Sequence, residues 1–106
     1  MKFTIVTCTF NAEHELQHTL DSVFQQSHTD VEHLILDGLS RDGTVEMAQA
    51  YKQRSDEART GHDIIVCSER DKGLYDAMNK GIIKATGDYI VFLNAGDTFP
   101  SESTLE

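Results

Sequence analysis

Four short polar clusters hold the residue types that could do chemistry: Thr9-Phe10-Asn11, Asp37 to Thr44, Ser68 to Gly73, and Asn94 to Asp97. Each follows directly on an apolar run. In an open parallel sheet, ligands bind beyond the carboxyl ends of the strands, so clusters gathered on one rim would form a site. Asn94-Ala95-Gly96-Asp97 is the sharpest of the four. A carboxylate on a loop after a buried strand can hold a hard divalent cation, which in turn can bridge diphosphate oxygens. Taken alone, the same tetrapeptide is an ordinary turn, and so are Asp37-Gly38 and Asp42-Gly43. Other chemistries are excluded by what the chain lacks. It has neither the GxGxxG of a dinucleotide site nor the GxxxxGK followed by Ser or Thr of a P-loop. A phospho-acceptor receiver would need an acidic cluster where the first strand ends, and here that strand ends in Thr9-Phe10-Asn11.

The elements that must position these clusters follow from hydrophobic periodicity. Phe3 to Thr9 is a β-branched run that predicts a buried strand, with Asn11 after it as a helix N-cap. Leu16, Leu20, Val23 and Phe24 share one helical face, and Glu13 and Glu15 favour a first turn, which predicts a helix from about Ala12 to Gln26. His33 to Asp37 is a second strand. Val45, Ala48 and Tyr51 make a weaker helical stripe that dissolves into the polar stretch from Gln53 to His62, and Asp63 to Cys67 is a third strand. From Leu74, the residues Ala77, Met78, Gly81, Ile82 and Ala85 keep helical spacing, with Gly87 as a C′ terminator and Tyr89 to Leu93 as the fourth strand. Strands apolar on both faces that alternate with helices predict an α/β fold: a mostly parallel sheet with helices on both faces.

Size and charge narrow the function. At 106 residues the chain is one domain, and its 39% hydrophobic content suits a single core. Nine Lys and Arg against 18 Asp and Glu give a net charge of -9, the wrong sign for coating nucleic acid, although one small phosphorylated ligand remains compatible. No apolar run reaches the roughly 20 residues of a transmembrane helix, and no secretory leader is visible, so a cytoplasmic location is expected. Cys8 and Cys67 sit inside apolar runs without CxxC spacing, as buried, reduced core thiols.

Five segments, in order and across almost the whole chain, resemble the family 2 glycosyltransferases with the GT-A nucleotide-sugar fold. Phe3 to Asn11 resembles the opening strand of that family, and Leu16 to Ser27 its first helix. Asp37-Gly38-Leu39-Ser40-Arg41-Asp42-Gly43-Thr44 is similar to its Asp-Asp-Gly-Ser-Thr-Asp-Gly-Thr segment. Ala77-Met78-Asn79-Lys80-Gly81 is similar to its helix carrying Arg-Asn-Lys-Gly, and Tyr89 to Asp97 to its DxD strand. Ser68 to Gly81 with Leu93 to Asp97 resembles a bacterial exopolysaccharide branch that includes colanic-acid-type transferases.

The resemblance implies a site. Thr9, Phe10 and Asn11 would border the base and ribose of a nucleotide-sugar donor, Phe10 offering a stacking surface or else packing in the core. Asp37 would accept a hydrogen bond from the base, a role suited to the imide N–H of uracil. Asp71 and Lys72 match the region that contacts base and diphosphate, while Asn79, pinning a neighbouring loop, and Lys80 are structural. In the DxD element Asn94 and Gly96 replace both acids, which leaves Asp97 as the ligand of a divalent cation, Mg or Mn, and Asn94 for a ribose hydroxyl. One carboxylate holds a cation weakly until the diphosphate adds its own oxygens. The implied reaction is inverting transfer of a sugar from a nucleoside-diphosphate donor, expected to be UDP-linked, to a glycan or lipid-linked acceptor in surface polysaccharide assembly.

In the family the general base and the acceptor surface lie in the second half of the domain, past the equivalent of Glu106. The 106 residues are therefore expected to be the nucleotide-sugar-binding half of a longer transferase, able to bind nucleotide but inactive alone. Peripheral association with the inner face of the membrane is expected of the full-length protein, and self-association into a homodimer of these residues through their uncovered apolar surface. The altered DxD element leaves one alternative, a non-catalytic nucleotide-binding or interaction module.

Overall fold

The computed structural model describes residues 1–70 and 73–105. Seven elements alternate: β1 (Phe3–Thr9), α1 (Leu16–Phe24), β2 (Val31–Asp37), α2 (Thr44–Glu57), β3 (Asp63–Ser68), α3 (Leu74–Lys84) and β4 (Tyr89–Phe92). All strand pairs are parallel, in the order β3-β2-β1-β4. β1 and β2 run together from Phe3 opposite Val31 to Thr9 opposite Asp37, so their carboxyl ends finish level. The chain steps outward from β1 to β2 to β3 and then returns across β1 to β4. Right-handed crossovers therefore put α1 and α2 on one face and α3 on the other.

Packing follows that division. Leu16 and Leu20 of α1, Ile35 of β2, Ala48 and Tyr51 of α2 and Ile64 of β3 form one core cluster. On the opposite face Val6, Leu34 and Leu36 pack with Cys8 and Cys67, both thiols and both partly buried. A third cluster joins Ile5 and Val31 to Val23 of α1, Leu93 and Leu105, and full burial of each large aliphatic side chain is worth about 1.5–3 kcal/mol. α3 comes unusually close to β1: a Cβ at Gly81 would lie 2.6 Å from Val6 Cγ1. The core also holds polar groups that are paired. His33 is fully buried, with Nε2 bonded to Thr7 Oγ1 and Nδ1 to the Tyr51 hydroxyl, each at 2.8 Å. Burial, reinforced by nearby His62, pushes its pKa down to about 3, so the imidazole is neutral and bridges β1 to α2.

Several boundaries differ from the sequence expectation, each for a physical reason. α1 begins at Leu16, because the backbone from Asn11 to Glu13 is engaged elsewhere and the Ala12 carbonyl takes the Leu16 N–H. Asn11 is not its N-cap. α2 runs on to Glu57 through polar sequence: Lys52–Asp56 and Gln53–Glu57 pair at i,i+4, Ser55 is buried, and Arg54 lies over the Phe24 ring while bonding Asp21. α3 ends at Lys84 with Ala85 extended, so Gly87 is not a C′ residue. Its role is close approach, since a Cβ there would meet Thr4 Oγ1 at 2.6 Å and Thr4 N at 2.7 Å. β4 is an edge strand, with Tyr89, Ile90 and Phe92 exposed rather than buried, and Ile82 of α3 is likewise exposed.

Candidate donor site

The rim at the carboxyl ends of the strands is organised around Asp37. This carboxylate is 2% exposed and takes four hydrogen bonds. Oδ1 accepts from Thr9 Oγ1 at 2.8 Å and Ser40 Oγ at 2.5 Å; Oδ2 accepts from Ser40 N and Ser68 Oγ, each at 2.8 Å. Burial alone would favour the neutral acid, but the bonds from Ser40, Thr9 and Ser68 outweigh it and hold the pKa below the usual carboxylate value. A carboxylate offers about four acceptor positions, and all are occupied. Asp37 therefore ties the ends of β1, β2 and β3 together from beneath the rim, and Thr9 is buried with it. The base contact expected of this carboxylate has no acceptor position left to use.

A second set of bonds locks the loop after β1 to the loop after β2. Asn11 N–H donates to Ser40 Oγ, Ala12 N–H to Thr44 Oγ1 and Glu13 N–H to Asp42 Oδ2, at 2.8, 2.9 and 3.3 Å. In return Arg41 N–H donates to Asn11 Oδ1 and Gly43 N–H to Glu13 Oε2, each at 2.8 Å. Asn11 adopts φ 48°, a left-handed conformation that its short amide tolerates. Between the two loops and the end of β3 lies an open cleft of about 580 Å³, lined by Phe10, Asn11, Gly38, Leu39, Arg41 and Arg70. Phe10 is 64% exposed, which settles its position: the ring faces the cleft and not the core.

The electrostatics of this cleft run against those of the chain. Ion pairs among the described residues use His14, Lys52, Arg54 and Lys80, so neither Arg41 nor Arg70 meets a carboxylate there. Two guanidiniums with no ion-pair partner among the described residues, beside an aromatic ring, suit a ligand that is flat at one end and anionic at the other. Lys80 does serve structure: its Nζ donates to the Arg70 carbonyl at 3.0 Å and faces Glu69 and Asp76 at 3.5 Å each. Asn79 is exposed and holds no loop among the described residues. Asp71 and Lys72 lie outside the described residues.

The loop after β4 occupies the same end of the sheet, on the other side of β1. Buried Thr19 of α1 fixes it: Oγ1 donates to the Asp97 carbonyl at 2.8 Å and accepts the Gly96 N–H at 2.8 Å. Gly96 takes φ 98°, a conformation that favours glycine, so the turn can close on the helix. Asn94 and Asp97 are exposed and do not line the cleft. The Asp97 carboxylate has no hydrogen-bond or ion-pair partner among the described residues, which leaves a hard oxygen donor available. No group of three potential metal ligands assembles among the described residues. A single carboxylate can hold a divalent cation only when a ligand adds further oxygens.

Thr9, Phe10, Asn11 and Asp37 are thus brought into one framework, with Asn94 and Asp97 on a separate loop of the same rim. Leu39, Arg41 and Arg70 were not singled out from sequence. Charge arithmetic could have found the two arginines, which stand in polar rim clusters of a strongly acidic chain; no signal in the sequence marks Leu39.

Comparison with known proteins gives concordant results. The family model described as "Glycosyl transferase family 2" matches residues 4–106. The chain is similar to a PGL/p-HBAD biosynthesis glycosyltransferase of Mycobacterium bovis, 35% identical over 103 residues that make up 97% of this chain and 38% of that protein. Its fold is similar to that of S. aureus TarS solved with UDP-GlcNAc, at a TM-score of 0.80 and 22% identity, over 99% of this chain and 29% of that one. Mannosyltransferase PcManGT from Pyrobaculum calidifontis, in complex with GDP-Man and Mn2+, matches at a TM-score of 0.80 and 25% identity, over 98% of this chain and 30% of that one. The chain thus spans well under half the length of the relatives it matches. Its parallel α/β architecture is the one these glycosyltransferases share.

Proposed function

The chain belongs to glycosyl transferase family 2, and on that basis we propose that it is the nucleotide-sugar-binding half of an inverting glycosyltransferase with the GT-A fold. One observation carries this reading: an apolar wall and two guanidiniums, neither with an ion-pair partner among the described residues, share a rim cleft in a chain of net charge -9. Phe10 presents its ring to the base, and Arg41 with Arg70 supplies positive charge to a nucleoside diphosphate. The donor is proposed to be UDP-linked; proteins of the same fold are solved with UDP-GlcNAc and with GDP-Man.

In the reaction an acceptor hydroxyl attacks the anomeric carbon of the donor as the nucleoside diphosphate departs. Negative charge grows on the departing oxygen, and preorganised cationic groups lower the barrier by stabilising it. Asp97 would hold a divalent cation, with Asn94 beside it for a ribose hydroxyl, and when bound that cation supplies further charge neutralisation at the diphosphate. Thr9 and Asp37 act beneath the ligand, holding the three strand ends at fixed separation. The acceptor, a glycan or a lipid-linked sugar in surface polysaccharide assembly, and the base that deprotonates it belong to the share of the relatives' length that these residues do not span.

Calorimetric titration of UDP, with and without Mn2+, tests the reading on the unsubstituted chain and on Asp97→Ala. The expected result is UDP binding that Mn2+ strengthens about tenfold or more, with the strengthening lost in Asp97→Ala and metal-free binding retained. Absence of UDP binding under both conditions overturns the reading. Mn2+ enhancement that survives in the variant removes Asp97 from the metal site.

A further inference from the structure

Leu39 is 52% exposed and sits at φ 62°, a left-handed conformation that costs a residue with a Cβ about 1–2 kcal/mol. Nothing in its own side chain offsets that cost, because leucine has no polar atom to bond locally. The conformation is imposed from both sides. Gly38 N–H donates to the Thr9 carbonyl at 3.0 Å, and Ser40 N–H donates to Asp37 Oδ2 at 2.8 Å. With both neighbours pinned to β1 and β2, the backbone between them has little choice, and the side chain is turned out onto the cleft opposite the loop that carries Phe10. Strain of this kind persists where the surrounding structure over-determines it, and it concentrates at ligand sites.

We propose that Leu39 is a specificity-determining residue: with Phe10 it forms the apolar wall that receives the base of the nucleoside diphosphate. The proposal rests on the donor-site reading above and adds a residue to it. Phe10 and Leu39 are large, exposed apolar side chains that line the same cleft, whose other lining residues are Asn11, Gly38, Arg41 and Arg70. A flat heteroaromatic ring is the part of a nucleotide that gains from apolar contact, while its diphosphate is served by Arg41 and Arg70. Stability and binding are then opposed at position 39. Glycine would relax the backbone and remove the wall; asparagine, which tolerates the left-handed region, would relax it and leave a small polar surface.

The experiment measures thermal midpoints and the affinities for UDP and for inorganic pyrophosphate, on the unsubstituted chain, Leu39→Gly and Leu39→Asn. Expected are midpoints raised by a few degrees in both variants, UDP binding weakened about tenfold, and pyrophosphate binding unchanged. Undiminished UDP affinity in Leu39→Gly overturns the proposal and leaves the donor site standing. Equal weakening toward UDP and pyrophosphate also overturns it, since Leu39 would then shape the loop and not the base contact. If the unsubstituted chain binds UDP no better than pyrophosphate, the cleft does not read a base, and the donor-site reading fails together with the proposal.

Discussion

His33 and Asp37 lie four residues apart on β2, yet their burial leads to opposite charge states. Asp37 stays ionised because four donors surround it. His33 stays neutral because its partners, a threonine and a tyrosine hydroxyl, offer no compensating charge. The consequence is a defined pH response. Unfolded His33 takes up a proton near pH 6.5, whereas the folded form resists until about pH 3, so stability falls as pH drops through that window. The full loss is of order 5 kcal/mol for a shift of this size. Asp37, held below its unfolded value, adds a further loss only below about pH 4. Urea denaturation at stepped pH should show stability declining from about pH 6.5, and His33→Leu should flatten the decline above pH 4. The same variant should lose about 1–3 kcal/mol at pH 7, because Thr7 and Tyr51 are left with unpaired buried hydroxyls. A pH profile unchanged in His33→Leu would show that the slope has another source.

Among the elements, α3 gives the clearest conflict between local preference and packing. Glycine within a helix costs about 1 kcal/mol relative to alanine, so Gly81→Ala is favourable on local grounds. The added Cβ would stand 2.6 Å from Val6 Cγ1 and 3.1 Å from Cγ2 of a fully buried residue, and overpacking of that kind costs about 1–3 kcal/mol. Net destabilisation is expected from chemical denaturation of Gly81→Ala, and a gain in stability would mean that α3 rides higher over β1 than described. The same contrast explains what the sequence made legible. Order, type and approximate position of all seven elements follow from apolar periodicity, because that periodicity records which face meets the sheet. The tail of α2 was hidden because its support comes from i,i+4 polar pairs and from Arg54 on Phe24, contacts a hydrophobic count does not register. Gly87 looked like a helix terminator because sequence cannot show that Thr4 of a distant strand presses against it. The site divides similarly: residue types placed Thr9, Asn11, Asp37 and Asp97 on one rim, but the saturation of Asp37 and the strained exposure of Leu39 appear only once three strand ends are assembled.

At the scale of the whole molecule, the sheet has an open side. Among the described residues β4 pairs only with β1, and Tyr89, Ile90 and Phe92 are 54%, 38% and 36% exposed, with Ile82 and Ile83 of α3 at 51% and 83%. The strand Tyr89–Phe92 contains no lysine or proline, residues that commonly blunt an edge. We therefore expect concentration-dependent self-association in light scattering, reduced by Ile90→Lys; a monomer that persists at high concentration would show that net repulsion from a charge of -9 prevails. The position of β1 carries a further consequence, one of timing. Of the four strands described it is made before the others, and one of its two neighbours, β4, is made after them, with Phe3 opposite Tyr89. At about 5–20 residues per second, ribosomal synthesis brings β4 to that edge roughly 4–17 seconds after β1 has been made. Throughout that interval a nascent chain displays the bare edge of β1, and the newborn protein passes through a period in which that edge, later covered by β4, is open to misassociation.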